Sequence, residues 1–448
     1  MKKKILAALL LSLVLTGCGS TPEVTIPATP SSPIIVESSS AVKESSEASS
    51  EVTPEASQPE STSPEPDAGS VKPIHTGALK NNNAFFVQKG DIVYFRVPTR
   101  DAMLTPEVSP DFMTFVPGSI LCSYDLITGA IEEISEDNSC GPLILSGDEL
   151  YSHSSMSDET TTYEYLESLN LKTGVVSSVD GSDLLDATVN GTYVAIGNWT
   201  YDFPPSHSLW IYQDGTKIAD LGAFQKFIGF FGSKAVYITS ESDGFNESYY
   251  LHSYDAKTGA VIDLGFISDW EDFYPGVVDQ IYAEGDRIYI CFGIYEGTGH
   301  FFAGAKLVEA SLNTADSVSV SDLPNPDWEE RSPSFIVENG TLRLVDGVPG
   351  TAAVDGTTGM LGYYDENAQF VPVASGYGST FAANENDYTQ VEFAEYLDGK
   401  IFVVTNEMIR DPAHDIGWRY AYYRKTTDIT VIDCNTLEST TLAHVVSE

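Results

Sequence analysis

Basic residues are scarce: 23 lysines and arginines stand against 65 aspartates and glutamates, a formal net charge of −42 over 448 residues. A field of that sign repels phosphate backbones and anionic headgroups, so nucleic acid is not an expected partner. Cysteine is scarce as well. After Cys18 only Cys122, Cys140, Cys291 and Cys434 remain, and none forms a close pair with zinc-ligand spacing. Cys122, Cys291 and Cys434 fall in apolar, strand-like runs and read as small core residues, while Cys122 with Cys140 leaves one disulfide open as an option. The seven histidines show no ligand spacing, and there is no Gly-x-Ser-x-Gly turn to seat a nucleophile. Nor is there an apolar run near the roughly 20 residues that a membrane-spanning helix requires.

The longest such run is Ile5 to Leu15, 11 residues, and it follows Lys2, Lys3 and Lys4. A basic start, a short apolar stretch and small residues before a cysteine follow the grammar of an export signal. Leu15-Thr16-Gly17-Cys18 resembles the lipobox of bacterial lipoproteins at all four positions. That resemblance implies a signal peptide over 1–17, cleavage before Cys18, and a diacylglycerol on the Cys18 thiol that holds the chain to membrane lipid on the extracytoplasmic face. Two acyl chains make a stable anchor. Residues 18–72 are rich in Ser, Glu and Pro and hold no aromatic residue, so they cannot bury enough apolar surface to offset ordering entropy. They read as a disordered tether. It carries only nine acids and two lysines, so most of the negative excess belongs to residues 73–448.

Those residues repeat. A turn dipeptide followed by a β-branched or aromatic run recurs seven times, at Gly90-Asp91, Gly147-Asp148, Asn190-Gly191, Gly232-Ser233, Gly285-Asp286, Asn339-Gly340 and Asp398-Gly399. Such residues accept positive φ cheaply and mark tight hairpins. Downstream of each comes a polar, mostly Asx residue that begins a second turn: Asp125, Asn170, Gln213, Asp255, Asn313, Asp365 and Asp433. Each unit therefore reads strand, tight turn, strand, variable loop, strand, tight turn, strand. The expected fold is all-β, a β-propeller of seven four-stranded blades preceded by a disordered linker. The turns Asp125-Leu-Ile-Thr-Gly129 and Asp255-Ala-Lys-Thr-Gly259 resemble those of quinoprotein-like propeller repeats. The tryptophan usual after that glycine is missing, so the resemblance implies the propeller and no quinone.

Strand direction alternates within a blade, which puts the second connection and the blade-to-blade link on one face of the disc and the tight turns on the other. From turn glycine to Asx-type residue the units span 35, 23, 22, 23, 28, 25 and 34 residues. The excess lies in units one and seven, which become neighbours when the ring closes. Their loops, about 98–119 and 406–427, supply the expected binding residues: Arg100, Asp111, Phe112 and Phe115 from one, Arg410, Asp411, His414, Asp415, Trp418 and Tyr420 from the other. The competing reading is an extended hairpin that covers the seam. Of the tryptophans, Trp210 is expected in a strand, whereas Trp199, Trp270, Trp328 and Trp418 fall in connections on the long-loop face and suit sugar stacking or peptide anchoring. No cofactor is expected. Ca2+ is the metal that Asp269-Trp270-Glu271-Asp272 and Asp327-Trp328-Glu329-Glu330 would suit, against a plainer reading as wedges between blades.

Together these features point to a surface-anchored, non-catalytic lipoprotein that recognises a protein, peptide or glycan through its long-loop face. The alternatives are an extracellular polysaccharide hydrolase or lyase, whose paired acids would leave no local trace, and a scaffold for an envelope complex.

Overall fold

The structure is a computed structural model that describes residues 84–447 apart from 104–117, 138, 158–161, 189–190, 201–205, 243–246, 269–277, 297–300, 324–333, 339–340, 378–387 and 415–420. All belong to the unit Pro66–Glu448. Five consecutive stretches, and the last one, each form a four-stranded antiparallel meander. The first holds β1 (Val87–Lys89), β2 (Ile92–Pro98), β3 (Ser119–Asp125) and β4 (Ile131–Asp137), with the short helix α1 (Arg100–Met103) after β2. The second holds β5 (Ser139–Ser146), β6 (Glu149–Ser157), β7 (Thr162–Asn170) and β8 (Val176–Val179). Next come β9 (Asp183–Ala187), β10 (Tyr193–Thr200), β11 (Ser206–Gln213) and β12 (Thr216–Ala223), then β13 (Lys226–Phe231), β14 (Lys234–Ser242), β15 (Glu247–Asp255) and β16 (Ala260–Ser268). The fifth holds β17 (Val278–Glu284), β18 (Arg287–Glu296), β19 (Phe301–Ser311) and β20 (Ser319–Asp322).

The sixth repeat departs from the expected single sheet. It splits into a hairpin, β21 (Ser334–Glu338) with β22 (Thr341–Val345), and a separate three-stranded sheet of β23 (Ala352–Asp355), β24 (Met360–Tyr364) and β25 (Phe370–Ser375). The last stretch is again four-stranded: β26 (Tyr388–Leu397), β27 (Lys400–Arg410), β28 (Tyr422–Asp433) and β29 (Ser439–Val446). The chain is an all-β propeller with almost no helix.

Each four-stranded sheet buries both faces, and strand periodicity shows how. Along β18, Ile288, Ile290 and Phe292 enter a cluster with Val236, Ile238 and Leu251 of the preceding sheet. The intervening Tyr289 and Cys291 enter another with Phe335 and Val337 of β21. Alternate residues thus serve opposite neighbours, which is why the strand reads as an almost unbroken apolar run. The same split occurs in β27: Phe402 and Val404 face the first sheet, Ile401 and Val403 face β23–β25. The ring closes at that first seam without strand exchange, because β26 to β29 are consecutive. Phe86 lies 5.2 Å from Phe402, Phe85 stacks on Phe393 at 4.8 Å, and Glu395 accepts the Phe85 amide at 3.1 Å. The split repeat divides its loyalty. The β21–β22 hairpin packs on the fifth sheet and β23–β25 on the last.

The tight-turn face is built as the repeat requires. Asp125 Oδ1 accepts the amides of Ile127 and Thr128, Asn170 Oδ1 those of Lys172 and Thr173, and Asp433 Oδ1 those of Asn435 and Thr436. The residue after each Asx then ties the two turns of its sheet together, Leu126 N to Asp91 O, Leu171 N to Asp148 O, Ala256 N to Ser233 O and Cys434 N to Gly399 O, all at 2.8–2.9 Å. In the sixth repeat this role belongs to Asp355, the end of β23, whose Oδ1 accepts Thr357 N at 2.9 Å. Asp365, expected there from sequence, caps the next turn, between β24 and β25. The displaced assignment is a consequence of the split: the repeat holds one extra strand and therefore one extra Asx turn.

Cys122 is a free, buried thiol pushed up to about 11 by desolvation, so the disulfide option is not taken up. Cys291 is buried in the fifth sheet as expected of a core residue. Cys434, also expected in the core, is a free thiol at intermediate depth.

Candidate functional site

The tight turns hold one end of the sheets, and the strand ends that flank the longer connections lie at the other. Units one and seven do meet there. Helix α1 lies against β28, Arg100 Nε donates to Ser447 O at 2.7 Å, and Met103 is buried. Thr99 N and Gly118 O close the base of the first loop at 3.1 Å.

The second loop is shorter than its length in sequence implied. Pairing of β27 with β28 runs on to Arg410 opposite Tyr422, so the connection is 411–421 and not 406–427. Alternating burial through Met408, which packs with Tyr388 and Tyr422, holds these residues in strand. The extended hairpin is therefore realised as far as Arg410 and Tyr422. Arg410 ends β27, Asp411 Oδ1 accepts Ala413 N at 3.2 Å while Asp411 N donates to Ala421 O, and His414 ends a 3₁₀ turn, Pro412–His414. Asp111, Phe112 and Phe115, with Asp415, Trp418 and Tyr420, lie outside the described residues, as do Trp270, Trp328 and their acidic neighbours.

Beneath the loops the seam holds a polar cluster that sequence reasoning missed. Glu392 Oε1 accepts Arg424 Nη2 at 3.0 Å, its other oxygen accepts Asn406 Nδ2 at 2.5 Å, and Thr427 Oγ1 donates to Asn406 Oδ1 at 2.8 Å. Asn406, Arg424 and Thr427 are buried. On the other face of the first sheet, the one turned toward the second, Arg96 is buried and donates to Ser119 Oγ at 2.9 Å. Buried charges persist when paired and hydrogen-bonded. The available signal was Asn406, two residues after Val404 and on the face of Phe402 and Val404, a polar residue where the alternation predicts a core position. This arrangement is a buried, hydrogen-bonded ion pair close to the end of the β27–β28 hairpin. Among the described residues no group of three or more His, Cys, Asp or Glu side chains is arranged to hold a metal ion.

A second feature lies on the same face. Trp199, expected in a loop, sits near the end of β10 directly opposite His207 of β11. Their rings stack at 4.4 Å and 15°, and His207 in turn lies 4.2 Å from Phe224.

No family model matches the chain, and no curated protein matches it in sequence. Its fold is similar to that of solved β-propellers. The propeller domain of the Trilobed protease from Pyrococcus furiosus is 12% identical with a TM-score of 0.43, over 81% of this chain and 98% of that one. The acylaminoacyl peptidase of Pyrococcus horikoshii is 11% identical with a TM-score of 0.43, over 82% of this chain and only 53% of the peptidase. A PL25 ulvan lyase is 10% identical with a TM-score of 0.38, over 78% of this chain and 96% of the lyase.

Proposed function

We propose that this chain is a surface-anchored lipoprotein that binds a protein, peptide or glycan without catalysis, through the long-connection face of its propeller. The observation that carries the reading is the one-sided architecture. In units one, two, four, five and seven the turn between first and second strands is tight and tied to its neighbour, whereas α1 packs on β28 where the 411–421 connection begins and ends. Rigid scaffolds with irregular loops gathered on one face are where recognition residues concentrate. The Leu15-Thr16-Gly17-Cys18 motif supports lipid attachment at Cys18, and the acidic excess supports ligands that are neutral or cationic.

Replacing residues 411–421 by a two-residue turn, with Arg410 and Tyr422 left in register, tests the siting. Peptide and glycan arrays probed with the full chain should show a ligand that this variant loses. Retention of every ligand by the variant places the site elsewhere, and turnover of a polysaccharide would replace binding by a lyase or hydrolase activity.

A further inference from the structure

We propose that the exposed face of Trp199 is the stacking platform of a subsite for an uncharged glycan, at the long-connection end of the seam between the β9–β12 and β13–β16 sheets. The inference rests on the reading that this face binds ligands, but places a site away from the junction of units one and seven.

The platform grows out of the core. Ala195, Leu209 and Ile211 line the third-to-fourth seam with Phe224, Phe227 and Tyr237. Moving two residues at a time along the same strand faces leads from Ala195 to Gly197 to Trp199, and from Ile211 to Leu209 to His207. The apolar seam therefore ends in a stack of three rings, Phe224, His207 and Trp199. Gly197 makes room for it: a Cβ there would stand 2.5 Å from His207 Nε2. Trp199 is 46% exposed although one face is covered by the imidazole, so its other face is open. Its backbone is held too, with Trp199 N donating to Ser182 Oγ at 2.9 Å. A ring fixed in this way loses little further freedom when a ligand stacks on it.

The neighbours decide the ligand class. Asp183 Oδ2 accepts the Ser182 hydroxyl at 3.2 Å and stands 3.2 Å from His207 Nε2, which makes no hydrogen bond to it. The Asp183 side chain is 40% exposed, leaving acceptor capacity for a hydroxyl. A flat aromatic face with one part-exposed carboxylate, Asp183, beside its stacked imidazole fits the apolar CH face and a hydroxyl of a pyranose. A peptide anchor gains from enclosure in a pocket, which a ring this exposed does not provide. The negative field disfavours anionic sugars.

The test titrates the purified full chain with cellotetraose and chitotetraose, by calorimetry and by ligand-observed NMR saturation transfer. One of the two should bind, with saturation strongest at the ring CH protons, and Trp199→Ala should weaken it about ten-fold or more. Gly197→Ala should weaken it while keeping the tryptophan, because the imidazole beneath is displaced. Arg343→Ala, in the β21–β22 hairpin, should change nothing. Failure of both tetraoses at millimolar concentration overturns the proposal, as does binding that survives Trp199→Ala. If both sugars fail while the 411–421 variant still loses an array ligand, the proposed function stands and this subsite falls. If sugar binds at Trp199 and that variant loses nothing, the subsite stands and the siting at units one and seven falls.

Discussion

Asp186 of β9 accepts the backbone amide of Phe230 in β13 at 3.1 Å through Oδ2, and that of Ala187 at 2.7 Å through Oδ1. One side chain thus joins the first strands of two successive sheets. Gln280 does the same between β17 and β21, accepting Phe335 N at 2.7 Å and donating to Phe335 O at 2.5 Å. Tyr282 adds a bond to Val337 O at 2.7 Å, and Glu395 reaches the segment before β1. First strands have a partner on one edge only, and these side chains satisfy backbone groups that would otherwise be buried without one.

The acids in this set make stability depend on pH. Burial pushes the Asp186 carboxyl up to about 7 and Glu395 likewise to about 7. Because both folded values lie above the unfolded ones, their contribution is complete below about pH 4 and is lost as pH rises through 7. Asp186→Asn should therefore gain on the natural chain between acid and mildly alkaline pH, by on the order of 2–4 kcal/mol. The turn aspartates act in the opposite sense, since hydrogen bonds hold Asp433 down to about 2 and lower Asp125 and Asp355. Urea unfolding at several pH values reads the difference, and parallel pH profiles for the two proteins would refute the role of Asp186.

Leu437 occupies the position that Gly129, Gly174, Gly259 and Gly359 hold in equivalent turns, with φ of +62° against +67° to +75° in the glycines. It is 60% exposed, so its side chain gains little from packing. Leu437→Gly should stabilise the chain by about 1 kcal/mol, because the left-handed conformation costs an L-residue roughly that much. A thermal midpoint that falls would contradict this.

Ring closure depends on aromatic packing. Phe402 is fully buried between Phe86 and Tyr124, with centroids 5.2 and 6.1 Å away. Phe402→Ala should cost about 3–5 kcal/mol. Hydrogen exchange should then rise first in β1 and β26 rather than evenly around the ring. Uniform loss of protection would mean that closure at this seam is no weaker than the others.

Cys122 and Cys291 are buried, and desolvation holds the Cys122 and Cys434 thiols up at about 11. Thiolate is the reactive form, so all three should resist an aromatic disulfide reagent in the folded chain and react on unfolding. Rapid labelling of Cys122 under native conditions would show that its seam opens.

Much of the fold was legible because it is repetitive and local. A two-residue turn such as Gly90-Asp91 or Asp398-Gly399 needs only its own backbone chemistry, and an Asx cap such as Asp125 acts within three residues. The sixth repeat was misread because Asp355 and Asp365 both satisfy that local rule, and only strand pairing distinguishes them. Of the expected binding residues, Arg100, Arg410, Asp411 and His414 fall at the junction of units one and seven.

What the amino-acid order determined by itself is the repeat, its turns and the alternation that makes inner strands such as β18 and β27 apolar on two sides, since each depends on residues a few positions apart. The tertiary structure decided which polar groups become buried: Asp186 against Phe230, Glu395 against Phe85, Arg424 against Glu392. It also decided that Trp199 lies on His207 with its far face open. Those outcomes depend on how far one sheet rotates against the next, and on the empty space at Gly197, which only the closed ring sets.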